Sequence, residues 1–229
     1  LFSVVVSNPA GSATSNNATL TVNAANGLVA HWKLDESSGT TAADATGNGY
    51  IGTLQGSATW TATGRFNGAL QLSGASDQFL TTSKVVPLSP AWTICGWFTA
   101  PLPATGTWHT LTRGQNGDHH IITDGSLNLG MYDNATGGGF RGCGFNLGSL
   151  SAGWHQVAAV GSGTTTRMYM DGTAVGTCDR KSSTDVYAVG NYQGGGQRFA
   201  DKIDDVRIYN YALSASEVAA LAAAGAQAP

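Results

Sequence analysis

From Leu28 onward, short runs rich in Val, Ile, Thr, Tyr, Phe and Trp return about every eight to twelve residues, each closed by Gly, Asn, Asp or Pro. The runs are Leu28–Leu34, Ala69–Leu72, Trp92–Phe98, Trp108–Arg113, His119–Thr123, His155–Val160, Thr166–Met170 and Lys202–Tyr209. No helical period separates them, so parallel βαβ units are excluded and an all-β, two-sheet antiparallel sandwich is predicted. The 32 glycines fall at turns and follow no period. Asp171-Gly172, between Arg167–Met170 and Thr173–Val175, predicts a two-residue hairpin, because a type I′ turn wants positive φ at both central positions. One short helix is expected at the end, where Ser214 and Glu217 form a capping box and Gly225 supplies the stop.

With 229 residues the chain is long enough for one large sandwich. Only 11% of residues are charged, so Ser, Thr, Asn, Gln and Gly must cover the surface. The net charge of −3 and the lack of a basic run longer than Arg180-Lys181 exclude a nucleic-acid partner. No apolar stretch reaches about 18 residues, so membrane insertion through a helix is not expected. The chain opens on Leu1 and reads as an excised piece. Cys95 lies in the apolar run Trp92–Phe98 and reads as a buried free thiol. Cys143 and Cys178 lie near loops, and in an oxidising compartment they could pair or stay free.

Residues 1–23 divide from the rest at the small-residue stretch from Ala24 to Gly27. They predict strands Phe2–Val6 and Ala18–Val22 around the turn-rich link Ser7–Ser12, and two strands alone are barely stable in water. The stretch resembles the last strands of a bacterial Ig-like domain, or a linker hairpin, and residues 24–229 form the jelly-roll domain.

Three segments carry a wider resemblance. They are His31–Gly39 with Ala43–Gly49, Gly153-Trp-His-Gln-Val-Ala158 with Tyr169-Met-Asp-Gly172, and Ile203-Asp-Asp-Val-Arg-Ile-Tyr209 running on to Ser214. In this order and spacing they resemble the laminin-G-like domains of the concanavalin A-like lectin/glucanase superfamily, bracketing residues 28–220. The resemblance implies a two-sheet jelly roll with a calcium ion and a role in binding carbohydrate or protein. It does not name the ligand, because one fold hosts many functions.

The resemblance places Asp44 and Asp204 on one calcium ion, with Asn48 adding an oxygen. The loop Asp44–Gly49 suits the ion chemically, since calcium mixes carboxylate, amide and carbonyl oxygens. Alternatively, Asp44 closes an Asx-turn and Asp204 pairs with backbone amides or a cation. Strict alternation along Lys202–Tyr209 sets Asp204 on the face of Val206 and Ile208. Adjacent His119 and His120 point to opposite faces and cannot easily share a metal, and no zinc pattern occurs.

Glu36 and Glu217 are the only glutamates, and neither belongs to the Glu-x-Asp-x-x-Glu pattern of laminarinase-like jelly rolls. No nucleophile elbow, Walker loop or His-Glu-x-x-His helix is present. Arg113, His119, Tyr132, Arg141 and Arg198 have the chemistry of a polysaccharide lyase, but their spacing makes no constellation. No catalytic residues are therefore assigned.

For binding, three loops set an aromatic beside an amide or arginine: Trp108-His109, Tyr132-Asp-Asn134 ahead of Arg141, and Tyr192-Gln193 ahead of Arg198. The candidate carbohydrate-binding residues are Trp108, His109, Tyr132, Asn134, Arg141, Tyr192, Gln193 and Arg198. Trp108 can equally be a strand-start core residue, and Trp154 reads as core. Trp32, Trp92 and Trp97 read as core, and Trp60 as either core or surface. The chain is thus expected to be a non-catalytic, calcium-stabilised carbohydrate-binding module of a secreted or cell-surface multidomain protein. Its partners would be a polysaccharide or other glycan, or a protein, beside neighbouring domains of its own chain. The alternatives are a structural or adhesive repeat, and a lyase or hydrolase with an unrecognised site.

Overall fold

The computed structural model describes residues 5–16, 27–103, 108–115 and 117–224. In chain order the early strands are β1 (Val5–Asn8), β2 (Gly11–Thr14), β3 (Leu28–Trp32), β4 (Thr41–Ala42), β5 (Gly52–Gln55) and β6 (Thr59–Thr61). Next come β7 (Ala69–Gln71), β8 (Gln78–Leu80), β9 (Trp92–Ala100), β10 (His109–Arg113), β11 (His119–Thr123) and β12 (Asn128–Asp133). The last are β13 (Gly139–Asn146), β14 (Gly153–Ser162), β15 (Thr165–Met170), β16 (Thr173–Cys178), β17 (Ala188–Val189) and β18 (Lys202–Tyr209), followed by helix α1 (Ala215–Ala223).

Two antiparallel sheets form a sandwich, as the recurrence of short runs predicts. Sheet A runs β13-β12-β11-β10-β17-β8-β5-β4, and sheet B runs β16-β15-β14-β9-β18-β7-β6 with β3 also paired to β18. Among the described residues, strands β1 and β2 pair only with each other. β1 begins within the expected strand Phe2–Val6 and runs with β2 through the stretch expected as a link; the expected strand Ala18–Val22 lies outside the described residues.

Period-two alternation explains the core. Along β9, Trp92, Ile94 and Phe98 face inward, while Cys95 and Trp97 face outward. They meet Leu111, Ile121, Leu129 and Met131 from sheet A, and burying each such side chain stabilises by roughly 1.5–3 kcal/mol. The indole N–H groups of Trp32 and Trp92 donate to Tyr50 O and Ser182 O, so neither core tryptophan strands its polar atom. Trp97 departs from its expected place in the core: it is buried on the outer face of sheet B, under Arg65 and Phe66. Trp60 packs against the core edge and donates to Gly39 O, whereas Trp154 is only half-buried.

The Asp171-Gly172 hairpin forms as predicted, with φ of +48° and +79° at the two positions. Helix α1 carries the expected capping box, in which Ser214 Oγ accepts from Glu217 N; Gly225 lies outside the described residues. The helix covers a second apolar cluster on the outer face of sheet B, formed by Cys95, Ala158, Val160, Tyr169, Tyr209, Leu213 and Val218.

In β18, strict alternation fails. Asp205 adopts φ of +48° and a register shift falls between Asp204 and Arg207, so the strand gains one residue. Ile203, Val206 and Ile208 thereby all reach the core, while Asp205 and Arg207 face outward. Asp204 is therefore not on the face of Val206 and Ile208. Cys143 and Cys178 are buried free thiols, and a hydrogen bond between them lowers the Cys143 thiol and raises that of Cys178.

Candidate functional site

The outer face of sheet A carries a row of side chains in cross-strand register. Arg113 on β10 stands opposite His119 on β11, His119 opposite Tyr132 on β12, and Tyr132 opposite Phe140 on β13. Neighbouring strands are about 4.8 Å apart, so the row spans roughly 14 Å. Ring centroids follow the register: His119 lies 5.9 Å from Tyr132, and Trp108 lies 5.4 Å from both Tyr132 and Phe140. The aromatic rings of Trp108, Tyr132, Phe140 and Tyr192 are each half-buried, leaving part of every ring to solvent. Gly130 makes room for this arrangement, because a Cβ there would sit 2.8 Å from the Phe140 ring and 2.3 Å from Arg141 O.

The loop after β17 closes the Arg113 end. Asn191 is fully buried and uses its whole amide to hold this loop. Its Oδ1 accepts from Tyr192 N (2.8 Å) and Gln197 N (2.7 Å), while Nδ2 donates to Ala75 O (2.7 Å) and Asp77 O (3.3 Å). Tyr192 is thereby set over the Arg113 guanidinium, 4.6 Å from ring centroid to Cζ, with its ring 6.2 Å from His119. Gln193 Oε1 accepts from Arg113 Nη1, and Gln193 Nε2 donates to Gln115 O at 2.6 Å.

Hydrogen-bond direction settles the protonation of His119. Arginine has only donors, so the 3.0 Å bond from Arg113 Nε needs a lone pair on His119 Nε2. The proton then sits on Nδ1 and is donated to Thr110 Oγ1 at 2.8 Å, and Thr110 passes its own to Gln197 Oε1 at 2.7 Å. Burial, then the Arg113 and His120 charges, push His119 down to about 3, so the ring is neutral. Burial also lowers Arg113 below the ordinary arginine range.

The candidates drawn from the sequence divide into two groups. Trp108, Tyr132, Tyr192 and Gln193 stand together on this face. His109 turns away into the protein, where Nδ1 donates to Arg198 O at 2.8 Å, and burial lowers its pKa. Arg198 donates to Leu72 O and pairs with Asp201. Arg141 pairs with Asp179 at 3.8 Å, and Asn134 Nδ2 donates to Gly117 O to fix the loop after β12. Phe140, Thr110 and Gln197 were missed as site residues, and Arg113 and His119 were noticed only as scattered lyase chemistry. Their juxtaposition depends on strand register, which the one-dimensional spacing does not display.

Asp44 and Asp204 occupy different environments. The Asp44 carboxylate accepts from His31 N, Thr46 N, Thr46 Oγ1 and Tyr50 N, closing its own loop and lowering its pKa. Asn48 donates through Nδ2 to Val29 O. Asp204 is fully buried; its Oδ2 accepts from Phe66 N at 2.9 Å, whereas Oδ1 has no partner. Burial, with the Asp205 and Asp35 charges adding to it, raises Asp204 to about 8. Asp35 accepts from Gly68 N, at the other end of the loop that reaches Asp204. An orphaned carboxylate oxygen beside a second carboxylate fits a hard cation. Among the described residues, no group of three His, Cys, Asp or Glu stands together.

A family model described as the concanavalin A-like lectin/glucanases superfamily matches residues 73–219. No curated protein matches the chain. Among solved structures, domain 4 of AbnA, a GH43 extracellular arabinanase from Geobacillus stearothermophilus in complex with arabinotriose, is 20% identical with a TM-score of 0.64. That match covers 85% of this chain and 98% of the arabinanase domain. Trypanosoma rangeli sialidase, 15% identical at a TM-score of 0.58, is matched over 86% of this chain and 32% of its own. The binding domain of Paraclostridial Mosquitocidal Protein 1, 16% identical at 0.62, is matched over 86% and 52%. The chain thus spans about a third of the sialidase and half of the toxin domain, and the likeness to all three is one of fold.

Proposed function

The chain belongs to the concanavalin A-like lectin/glucanases superfamily, and from that premise we propose that it is a non-catalytic carbohydrate-binding module of a secreted multidomain protein. The observation that carries this reading is the in-register row Arg113, His119, Tyr132 and Phe140, flanked by Trp108 and Tyr192. Half-exposed rings offer flat apolar surface to the C–H face of a sugar, while Gln193, Gln197 and Arg113 offer forked polar groups to its hydroxyls. The arabinanase domain solved with arabinotriose adds support through its shared fold.

Binding is favoured over catalysis by the state of the histidine. His119 is the strongest base in the row, yet both its nitrogens are engaged, so it has no lone pair with which to take a substrate proton.

Calcium completes the reading. We assign it to Asp204 together with Asp35, because Asp204 Oδ1 is buried without a donor, whereas every strong demand of the Asp44 carboxylate is met locally. The ion would neutralise the buried Asp204 together with the exposed Asp35 and tie the loop containing Phe66 and Gly68 to β18, stabilising the fold and leaving the aromatic row untouched.

The test is titration of a panel of soluble polysaccharides and oligosaccharides against the intact chain, with thermal unfolding in calcium and in chelator. Tyr132→Ala should weaken binding about 10- to 100-fold, or ~1–3 kcal/mol, at unchanged folding. Calcium should raise the unfolding midpoint, and Asp204→Asn should abolish the shift. Failure of every glycan to bind would replace this reading with a structural or adhesive repeat; an unchanged midpoint would remove the calcium site.

A further inference from the structure

Resting on the reading of this face as a glycan site, we propose that its sugar carries a carboxylate and that Arg113 recognises it. The inference starts from how the arginines are compensated. Arg141, Arg180, Arg198 and Arg207 each stand within ion-pair distance of an aspartate, namely Asp179, Asp133, Asp201 and Asp205. Arg65 and Arg167 are exposed, and water solvates them. Arg113 is half-buried, and among the described residues no carboxylate stands within ion-pair distance of it, the Asp118 charge acting on it only from farther off.

Every group in direct contact with this guanidinium is neutral. Nε donates to the unprotonated nitrogen of His119, and Nη1 donates to Gln193 Oε1 and, at 3.5 Å, to Gly114 O. The Tyr192 ring lies against one side. No acceptor for Nη2 is present among the described residues. These contacts lock the orientation of the group without cancelling its charge, and a partly desolvated charge with no anion in contact is costly unless one joins it. A carboxylate matches the planar fork best, since two oxygens can meet two parallel N–H donors.

The surroundings select a uronate sugar over a small anion. Tyr132 lies two strands from Arg113, about 10 Å along the row, with Trp108 and Phe140 beyond it. An oligosaccharide with an acid at one end of the row can therefore lay its following rings on these aromatics, which a free anion cannot use. A neutral sugar at the same position leaves Arg113 desolvated without compensation, so discrimination comes from the unmatched charge as much as from the new bond.

The experiment titrates tetrasaccharides of galacturonate, mannuronate and guluronate, each as the free acid and as the methyl ester, with an arabino-oligosaccharide as the neutral control. At least one acid should bind about 10- to 100-fold more tightly than its ester, with an affinity that falls as salt rises. Arg113→Gln should bring the ratio of acid to ester affinity to about one, and Arg113→Lys, which keeps the charge and loses the fork, should leave an intermediate ratio. Equal binding of every acid and its ester, or an acid preference that survives Arg113→Gln, overturns the inference while leaving the glycan site standing. If neither acids, esters nor neutral sugars bind, the glycan reading falls and this inference falls with it.

Discussion

The outer faces of the two sheets follow the same period-two alternation and become opposite kinds of surface. On sheet B, helix α1 covers an apolar cluster, and the charged groups around Asp205 are buried and matched: Asp205 Oδ1 lies 2.6 Å from His31 Nε2 and 3.1 Å from Arg207 Nη2. On sheet A, among the described residues, no helix lies over Arg113, Tyr132 and Phe140, the rings stay half-buried, and the half-buried Arg113 has only neutral groups in direct contact. A face that compensates its own charges is serving stability. A face that holds an oriented charge with no ion-pair partner among half-buried rings is prepared for a partner.

The largest effect that tests this contrast belongs to sheet B. Asp205→Ala removes the acceptor shared by His31 and Arg207, leaves two buried donors unmatched, and places alanine at positive φ. We expect a loss of about 3–5 kcal/mol in chemical denaturation, with the glycan affinity of the protein that remains folded unchanged. A loss of affinity comparable to that of Tyr132→Ala would show the two faces to be coupled.

Acid should separate the faces next. His119 and His120 are held at about 3 and about 4 in the folded chain, mainly by burial, against an ordinary value of 6.5. A depressed folded pKa means that the unfolded chain binds the proton more readily, so this stability is complete above pH 6.5 and drains away as pH falls toward 4. Asp205 lies below its ordinary 3.8 despite burial, through its bonds to His31 and Arg207, and its contribution is lost only below that value. Between pH 6.5 and 4, hydrogen exchange should therefore quicken in β10 and β11 before β18, each of the two histidines contributing a loss on the order of 2–3 kcal/mol. His119→Gln, which can still accept from Arg113 and donate to Thr110, should flatten part of this slope. A slope unaffected by the substitution would show that His119 is not the titrating group.

The smallest effect concerns the cover of sheet B. Ser214→Ala removes the oxygen that accepts from Glu217 N at the start of α1 and should cost about 1 kcal/mol, read as a lowered melting temperature with no change in glycan binding. A cost near zero would mean that α1 is held by packing of Val218 and Leu213 alone.

Much of the architecture was legible in the chain because its signals are local. The spacing of strand-length runs marked the sandwich, and His119–Thr123 and Lys202–Tyr209 are strands with the expected bounds. Asp171-Gly172 and the Ser214–Glu217 box also read correctly, since a turn or a cap depends on a handful of neighbouring residues. The candidate site was legible only in part. Trp108, Tyr132, Tyr192 and Gln193 carry the right chemistry in sequence, but alternation alone does not say that His109 turns inward or that Arg198 is taken by Leu72 O and Asp201.

What the amino-acid sequence determined by itself, then, is the class of fold, the hairpin, the helix cap and the types of side chain available for binding. Tertiary structure decided which of them meet. The extra residue at Asp205 exchanged the faces of β18 and brought Asp204 under the loop containing Phe66, and cross-strand register set Arg113, His119, Tyr132 and Phe140 in one row. The reason is physical: alternation assigns a side chain to one of two faces, whereas bulges and register are selected by the packing of distant strands around a common core.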